Sequence, residues 1–338
     1  MRHFFILFAI AGLLINPSAA EACTGITLKS KDSTTIVART IEWGGSNLNS
    51  QYVVVPRGYT ERSYTPNGVD GMTFAARYGY VGLAVEQKEF IAEGLNEVGL
   101  SAGLFFFPQL VSWLLGECSN VEEVKEAVKK VHVINIDPRA STVHWRFAEP
   151  SGRQLVLEII KGELHFYENT LGVLTNSPSF EWHLTNLNNY VNLFPGTAPN
   201  QQLGNIELSS FGAGSGFLGI PGDVTPPSRF VRAAFYQASA PQQETALETV
   251  FQCFQILNNF DISVGIEFPL GQVPCDIPSA TQWTSVTDMR NHVIYYRTMY
   301  NSVIRNIDLR SIDFSTVRYR AVSMDGTKRQ TVETIKIE

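Results

Sequence analysis

Cys23 has the residue type and the position of a nucleophile at a chain terminus. It follows Ala20-Glu21-Ala22, whose small residues at the first and third positions are typical of a signal-peptidase site. Cleavage after Ala22 would make Cys23 the first residue of the mature chain, with a thiol and an α-amine on one residue. Reference pKa values are about 8.5 for a thiol and about 7.7–8.0 for an α-amine, so both groups change protonation near neutral pH. The pattern predicts a nucleophile that carries its own general base.

The segment before this cysteine has the pattern of a secretory leader. Arg2 and His3 form a short polar start, and an apolar run covers residues 4–15. We therefore predict a signal peptide over residues 1–22, removed on export, and a periplasmic or secreted protein. One alternative is a lipoprotein with an acylated Cys23, although that signal usually has a large aliphatic residue where this chain has Ala20. The other is a cysteine that follows the cut by chance.

The composition is that of a globular protein. The chain has 338 residues, of which 44% are hydrophobic and 17% charged, and its net charge is −6. Even without the leader it is long enough for one large domain or two ordinary ones. No basic patch occurs, which argues against nucleic-acid binding. After the leader, no apolar stretch approaches the ~18 residues of a membrane span, so we expect no transmembrane segment.

The other residues capable of chemistry form no second motif. The four cysteines include no CxxC pair, so no structural zinc site is predicted, although Cys253 and Cys275 could bridge in an oxidising compartment. Residues 214–219 satisfy GxGxxG, but prolines follow where a dinucleotide phosphate would need a helix. The histidines form neither HExxH nor HxH, and no serine lies in GxSxG. We therefore predict neither a metal nor another cofactor.

Residue alternation predicts that Cys23 begins a strand. Residues 23–30 and 34–40 form a predicted hairpin around a Lys-Asp-Ser turn. Other strands are predicted over 51–55, 90–95, 99–106, 143–148, 154–160, 164–167, 282–287 and 292–299, with shorter ones toward 332–337. Helices are predicted after the capping-box spacing of Ser119 and Glu122 through 130, and over 180–193, 228–238 and 243–260. Meandering strands that alternate with helix pairs favour antiparallel sheets covered by helices. With no linker or repeat, a single domain over 23–338 is predicted.

From Cys23 onward, the sequence resembles the choloylglycine hydrolase family of N-terminal-nucleophile (Ntn) amidases, which includes bile salt hydrolases and penicillin V acylases. Four blocks in the family's order carry the resemblance: CTG at 23–25 with ARTIEW at 38–43, GLNEVGL at 94–100 with GLFF at 103–106, LTNSPSFEWH at 174–183, and LGIPGD at 218–223 with TPPSRF at 225–230. The resemblance implies an α+β fold, an αββα sandwich of two antiparallel sheets with helices outside. The predicted order of strands and helices agrees with it.

The resemblance also implies roles for five residues. Cys23 matches the family nucleophile, and Arg39 matches an arginine beside its sulfur, which would favour the thiolate. Glu42 stands where the family usually has the aspartate that contacts the nucleophile's amine, and it is one methylene longer. Asn176 matches the asparagine whose side-chain N–H helps to hold the oxyanion. Arg229 matches the second active-site arginine. It is predicted in the first turn of a helix, where a cation needs a specific partner.

A short aromatic run is the predicted wall of the substrate pocket. Phe105 stands where many bile salt hydrolases have asparagine. Its backbone N–H would still serve the oxyanion, while its ring would change the acyl pocket. Trp43, Phe106 and Phe107 are further candidates for lining this pocket, with packing in the core as the alternative for each.

The implied reaction is hydrolysis of an amide with an apolar acyl part, through a thioester. Sequence blocks 175–190 and 218–230 favour glycine or taurine conjugates of bile salts as substrates. An acylase for penicillin V or acyl-homoserine lactones is the alternative among enzymes. A surface lipoprotein that binds apolar ligands without catalysis is the alternative from another class. Family resemblance also implies a homo-oligomer, commonly a tetramer.

Overall fold

The computed structural model of the chain describes residues 21–63, 71–105, 109–133 and 144–337. Apart from residues 21 and 22, the predicted signal peptide lies outside these ranges. In chain order the strands are β1 (Glu21–Lys29), β2 (Thr35–Trp43), β3 (Gln51–Val55), β4 (Thr60–Arg62), β5 (Thr73–Ala75), β6 (Tyr80–Ala84), β7 (Ile91–Asn96), β8 (Ser101–Leu104), β9 (His144–Ala148), β10 (Gln154–Ile160), β11 (Glu163–Glu168), β12 (Gln201–Leu203), β13 (Ile206–Leu208), β14 (Thr281–Asp288), β15 (Val293–Thr298), β16 (Asn301–Asp308) and β17 (Arg320–Ser323).

The helices are few and short. They are α1 (Gln109–Glu117), α2 (Val121–Val128), α3 (Phe180–Asn186), α4 (Pro226–Ser239) and α5 (Ala246–Leu257), with 3₁₀ turns at Leu187–Tyr190, Ser215–Phe217, Asn258–Phe260 and Leu309–Ser311. In the described part of the chain, no helix combines the length and the apolar character that crossing a membrane requires.

Two antiparallel sheets form the centre of the molecule. One has five strands in the order β1-β2-β14-β15-β16, and the other has eight in the order β11-β10-β9-β8-β7-β6-β3-β17. Helices α4 and α5 pack on the five-stranded sheet, and α1 packs on the eight-stranded sheet. The main apolar core joins both sheets to α4 and α5, and a second core lies beneath α1 and α2. The predicted αββα sandwich is confirmed.

The first hairpin sets the position of Cys23. The Asp32 carboxylate closes the turn by accepting hydrogen bonds from the Ser30 hydroxyl and the Thr34 amide. This register pairs Cys23 with Ile41 and Gly25 with Arg39. Residues directly opposite each other share a face of the sheet, so Arg39 lies on the same face as Cys23. A Cβ at Gly25 would lie 2.9 Å from the Phe105 ring and 3.2 Å from Arg146 Nη1, so the glycine leaves room for these two side chains.

Some predicted boundaries were wrong. The helix predicted over 180–193 ends at Asn186 and continues as a 3₁₀ turn, where Asn188 bonds the Thr185 carbonyl. Helix α2 is capped by Asn120, which accepts from the Glu123 amide, so the predicted box is displaced by one residue. The helix predicted from 243 begins only after Thr245, which forms a capping box with Glu248. No strand forms over the predicted region 332–337, all of which is described.

The bridge considered between Cys253 and Cys275 is not formed. Cys253 is buried in α5, whereas Cys275 is exposed, and both are free thiols, as are Cys23 and Cys118.

Candidate active site

Cys23 lies in the edge strand of the five-stranded sheet and is nevertheless buried. Beyond the edge runs a segment of residues 174–176, here called the strap. Gly25 bonds Leu174 in both directions, with N···O distances of 2.7 and 3.1 Å. The backbone N–H of Cys23 donates to Oδ1 of Asn176 at 2.6 Å. The strap therefore pairs with the free edge of β1 and places Asn176 beside the predicted nucleophile.

Arg39 contacts the sulfur of Cys23. One terminal nitrogen of its guanidinium donates to Sγ at 2.7 Å, and the other N–H groups bond the backbone carbonyls of Thr40, Ala92 and Leu104. The Phe105 ring lies beneath it, with its centroid 4.4 Å from Cζ. Arg39 is completely buried. Its geometry is therefore fixed by several partners, and the predicted position beside the sulfur is the one the structure shows.

A buried carboxylate joins Arg39 to a second arginine. Glu93 Oε2 lies 3.7 Å from Arg39 Nη1, and its other oxygen lies 3.1 Å from Arg146 Nη2 and accepts from Ser101 at 3.3 Å. Burial lowers the pKa of Arg146. Gly103 makes room for this carboxylate, because a Cβ there would lie 2.2 Å from Glu93 Oε2. We call Arg39, Glu93 and Arg146 the sulfur-side cluster.

The sequence analysis missed Glu93 and Arg146. A signal was present for Glu93, because a carboxylate in an apolar strand next to the Gly94 block indicates a buried partner. Arg146 gave no comparable local signal, since its partner comes from a strand more than 50 residues away.

Opposed effects act on the pKa of the Cys23 thiol. Burial raises the pKa of its thiol, Arg39 lowers it, and Glu42 raises it again. The net direction is upward, so the thiol form is favoured in spite of the adjacent guanidinium. The sulfur therefore needs a base to become a nucleophile, and Arg39 would stabilise the thiolate once it forms.

Arg229 holds the backbone around the same cysteine. Its guanidinium donates to the Cys23 carbonyl at 2.6 Å, to the Thr24 hydroxyl at 2.8 Å and to Asn176 Oδ1 at 3.1 Å, while Nε bonds the Val224 carbonyl. Burial lowers its pKa, and the charge of Glu42 opposes this effect. Arg229 lies in the first turn of α4, where the helix dipole disfavours a cation. These acceptors are the specific partners that the sequence argument expected.

Two buried carboxylates lie near Arg229. Among the described residues, neither oxygen of Glu42 nor of Glu267 accepts a hydrogen bond of normal geometry. Burial raises the pKa of Glu42 to about 8, with Arg229 opposing, and burial also raises the pKa of Glu267. Glu267 approaches Gly44, where a Cβ would lie 2.9 Å from its Oε2. The sequence analysis did not identify Glu267, which follows a loop with no motif.

The contact predicted between Glu42 and the amine of Cys23 stays a prediction. In this structure the Cys23 nitrogen belongs to a peptide bond with Ala22 and donates to Asn176. Glu42 pairs with Ala22 in the sheet register, one position before the cysteine.

The oxyanion role predicted for the Phe105 amide stays a prediction. In this structure its N–H donates to the His144 carbonyl at 2.8 Å, so this bond would have to open before the amide could donate to an oxyanion. Its ring is buried between Gly25 and Arg39, so it belongs to the support of the site rather than to an open wall. Trp43 is half-buried and donates from Nε1 to Ser46 at 3.0 Å. Its predicted contact with substrate stays untested. Phe106 and Phe107 lie outside the described residues.

Known proteins are similar to this chain over most of its length. A sequence profile described as linear amide C–N hydrolases, choloylglycine hydrolase family, matches residues 23–319. The bile salt hydrolase/transferase of Clostridium perfringens is 31% identical over 312 residues, which cover 85% of this chain and 92% of that protein. The bile salt hydrolase/transferase of Lactiplantibacillus plantarum is 32% identical over 315 residues, with the same coverage.

Two solved structures of other proteins share the fold of this chain. A variant of conjugated bile acid hydrolase from Clostridium perfringens superposes with a TM-score of 0.79 at 28% identity, covering 93% of this chain and 100% of that one. The penicillin V acylase of Agrobacterium tumefaciens, at 20% identity and a TM-score of 0.70, shares the fold over 91% of this chain and 93% of its own.

Proposed function

Since the chain belongs to the choloylglycine hydrolase family of linear amide C–N hydrolases, we propose that it hydrolyses conjugated bile salts at the bond to glycine or taurine. The observation that carries the proposal is the guanidinium of Arg39 at 2.7 Å from the Cys23 sulfur, at the start of β1. Two of the relatives most similar to it are named bile salt hydrolase/transferase. Their similarity over most of both chains supports this substrate class.

The first chemical step is attack by the sulfur on the amide carbonyl. We assign the role of base to the α-amine of Cys23, which takes the thiol proton as the C–S bond forms. The raised pKa of the buried thiol is consistent with this need for a base. Arg39 stabilises the negative charge on sulfur while the proton leaves, and formation of the C–S bond then moves that charge to the carbonyl oxygen. The protonated amine gives its proton to the leaving nitrogen, and water activated by the same amine hydrolyses the thioester.

Asn176 is the proposed donor to the oxyanion. One hydrogen of its Nδ2 points to the Phe105 carbonyl at 3.2 Å, which leaves the other for the substrate oxygen. Arg229 and the Cys23 amide both bond its Oδ1 and so fix which way the carboxamide faces. One such donor typically lowers a barrier by about 2.7–4 kcal/mol.

The proposed mechanism requires removal of residues 1–22. The support is the Ala20-Glu21-Ala22 pattern, which would place the cut directly before Cys23. It follows that the protein is exported and acts in the periplasm or outside the cell. While Ala22 is attached, the nitrogen of Cys23 is a peptide nitrogen and cannot act as a base.

We also propose that the protein is a homo-oligomer. The region around the β12–β13 hairpin exposes several large apolar side chains: Val191, Leu203, Ile206, Leu208, Phe211 and Leu218. A cluster of this kind on an exposed hairpin is typical of a protein–protein interface. Light scattering on the intact protein should show more than one chain per particle. In a Leu203→Ser, Ile206→Ser double variant, the measured particle mass should shift toward that of the monomer.

The central experiment combines N-terminal mass analysis with substrate turnover. We expect the exported protein to begin at unmodified Cys23 and to release glycine or taurine from conjugated bile salts. The Cys23→Ser variant, with native circular dichroism, should lose nearly all activity because serine is a weak nucleophile at neutral pH. A lipid mass increment on Cys23 would instead support the lipoprotein alternative.

Penicillin V and an acyl-homoserine lactone serve as competing substrates in the same assay. The penicillin V acylase of Pectobacterium atrosepticum is 23% identical over 96% of this chain and 91% of its own length, which makes this comparison necessary. Preferential turnover of either compound would favour an acylase with the same nucleophile.

A further inference from the structure

Three hydrogen bonds around Asn176 join separate segments into a closed loop. Asn176 donates from Nδ2 to the Phe105 carbonyl, and the Phe105 amide donates to the His144 carbonyl at 2.8 Å. His144 in turn lies with Nδ1 2.7 Å from the carbonyl of Thr175, the residue before Asn176. The end of β8, the start of β9 and the strap are therefore linked in one circuit. His144 contributes two of its three contacts, one from the main chain and one from the ring.

The protonation of the His144 ring follows from its neighbours. A carbonyl oxygen only accepts, so Nδ1 must carry a proton toward Thr175. The other ring nitrogen lies 3.0 Å from Glu158 Oε1, and both side chains are completely buried. These two atoms lie within ion-pair distance, although their geometry is not that of a hydrogen bond. Glu158 is therefore an electrostatic partner that faces the buried ring.

Glu158 fixes the pair to the scaffold. It projects from β10 in the eight-stranded sheet, and its Oε1 also accepts from the Phe180 amide at 2.6 Å. Phe180 opens α3, the helix that directly follows the strap. The carboxylate of Glu158 therefore contacts both the ring of His144 and the first residue of α3.

We infer that His144, anchored by Glu158, is a positioning residue that sets the strap so that the Asn176 carboxamide faces Cys23. The inference rests on the proposed function of Asn176. The strap joins β1 through the two backbone bonds between Leu174 and Gly25, and Asn176 lies two residues beyond that pair. A second histidine, His183, donates to the Asn176 carbonyl at 2.8 Å. Neither His183 Nδ1 nor His144 Nε2 makes a hydrogen bond to the described residues, but His144 Nε2 lies at ion-pair distance from Glu158. His144 therefore bonds the strap through one ring nitrogen and faces a buried carboxylate with the other.

The test compares substitutions that remove or keep the donor. His144→Leu cannot bond the Thr175 carbonyl, and Glu158→Gln loses the carboxylate that orients the ring. We expect each to lower kcat about 10- to 100-fold with KM changed less than about 3-fold, since a displaced oxyanion donor acts on the transition state. His144→Asn places an amide N–H near the position of Nδ1 and should retain most of the wild-type kcat. His165→Gln and Glu163→Gln, both on β11, are the matched controls.

Two further measurements separate a local effect from damage to the fold. Alkylation of Cys23 by iodoacetamide needs no oxyanion donor and should proceed at the wild-type rate. Acylation of Cys23 by a p-nitrophenyl ester of an apolar acid does need one and should slow in parallel with kcat. Unchanged ester acylation in His144→Leu, or equal losses in acylation and alkylation, would overturn the inference. Failure of the wild type to hydrolyse bile salts would refute the proposed function and leave the ester comparison as the deciding result.

Discussion

The two sides of Cys23 are built differently. On the sulfur side, Arg39 and Arg146 share the carboxylate of Glu93, and each arginine is bonded to backbone carbonyls as well. On the nitrogen side, Arg229 bonds the backbone of Cys23 and Asn176, while the carboxylates of Glu42 and Glu267 have no such partners in the described structure. The sulfur side has two arginines and one carboxyl group, whereas the nitrogen side has one arginine and two carboxyl groups.

This difference indicates which charged group each side of Cys23 is suited to stabilise. An excess of cationic charge around a thiol suits the thiolate of the reaction. Carboxylates without hydrogen-bond partners suit a cation, and the α-ammonium created by cleavage before Cys23 would be one. We therefore expect the sulfur side to be complete in the uncleaved chain and the nitrogen side to change on cleavage. The predictions below test that contrast, from the largest expected effect to the smallest.

The largest effect should come from blocking the nitrogen side alone. A chain that retains Ala22 before Cys23 should lose about 10²- to 10⁴-fold in kcat, since it lacks the general base. Its rate of alkylation by iodoacetamide should remain within a few-fold of that of the cleaved chain, because Arg39 is unaffected. The control is a chain released at Cys23 by a site-specific protease. Equal turnover by both forms would refute the role of the amine.

Removing the cation of the sulfur side should affect both activity and folding. Arg39→Leu leaves a buried cluster with one charge fewer, and breaking such a cluster typically costs about 3–5 kcal/mol of unfolding free energy. The pKa of the Cys23 thiol should rise further, which would appear as an upward shift in the pH profile of alkylation. Arg39→Lys should rescue little, because an ammonium cannot replace the planar guanidinium.

The ion pair of the exposed Arg57 with Glu97 provides a control for this experiment. Arg57→Leu should leave the free energy of unfolding nearly unchanged, because solvent screens the charge of this arginine. An unchanged alkylation profile in Arg39→Leu would contradict the assignment of Arg39 as the cation beside the sulfur.

Glu42 should make the stability of the uncleaved chain depend on pH. Its pKa of about 8 in the folded state exceeds the ordinary 4.5, so the folded chain binds the proton more tightly. The contribution of Glu42 to the free energy of unfolding is therefore fully present below pH 4.5 and is lost as pH rises toward 8. In urea unfolding, we expect the free energy of unfolding to fall by roughly 2–4 kcal/mol between those two pH values. Glu42→Gln should make that slope shallower, and the remaining slope would come from groups such as Glu61, whose pKa burial raises to about 7.

Cleavage before Cys23 should also reduce the slope, because the nearby ammonium would lower the pKa of Glu42. Glu163→Gln is the surface control and should leave the slope unchanged. If the free energy of unfolding declines equally with pH in Glu42→Gln and in the unsubstituted chain, another group causes the decline. That result would exclude Glu42 as the group whose ionisation destabilises the fold.

His183 should have the smallest effect on stability. Its contribution should be lost as pH falls, whereas that of Glu42 is lost as pH rises. Burial lowers its pKa to about 4, so the ring is neutral where it donates to the Asn176 carbonyl. The unfolded chain takes up the proton near pH 6.5, and stability is therefore lost as pH falls from about 6.5 toward 4, by about 1–3 kcal/mol. His183→Phe keeps a ring to stack on Phe230 and should remove this acid loss. An identical acid transition in both proteins would exclude His183.

The sequence predicted contacts between residues that lie close together in the chain. The hairpin that carries Cys23 and Arg39 follows from a turn and alternating residues within about 20 positions, and both the strands and the register agree with it. The charges that complete the site could not be found this way. Arg146 meets Glu93 only because β9 and β7 flank β8 in the eight-stranded sheet. The Phe105 amide is taken by His144, 39 positions along the chain, which no local pattern around Phe105 indicates.

The position of β1 at the sheet edge has a consequence for the lifetime of the enzyme. A nucleophile on a first residue is lost to a single cut by an aminopeptidase, and chain ends usually fray enough to permit one. Here β2 pairs with one side of that strand, Leu174 pairs with the other, and Arg229 binds the first carbonyl. The scissile bond after Cys23 is therefore closed to an exopeptidase until the strap detaches. The same contacts that orient the cysteine would also protect it from aminopeptidases.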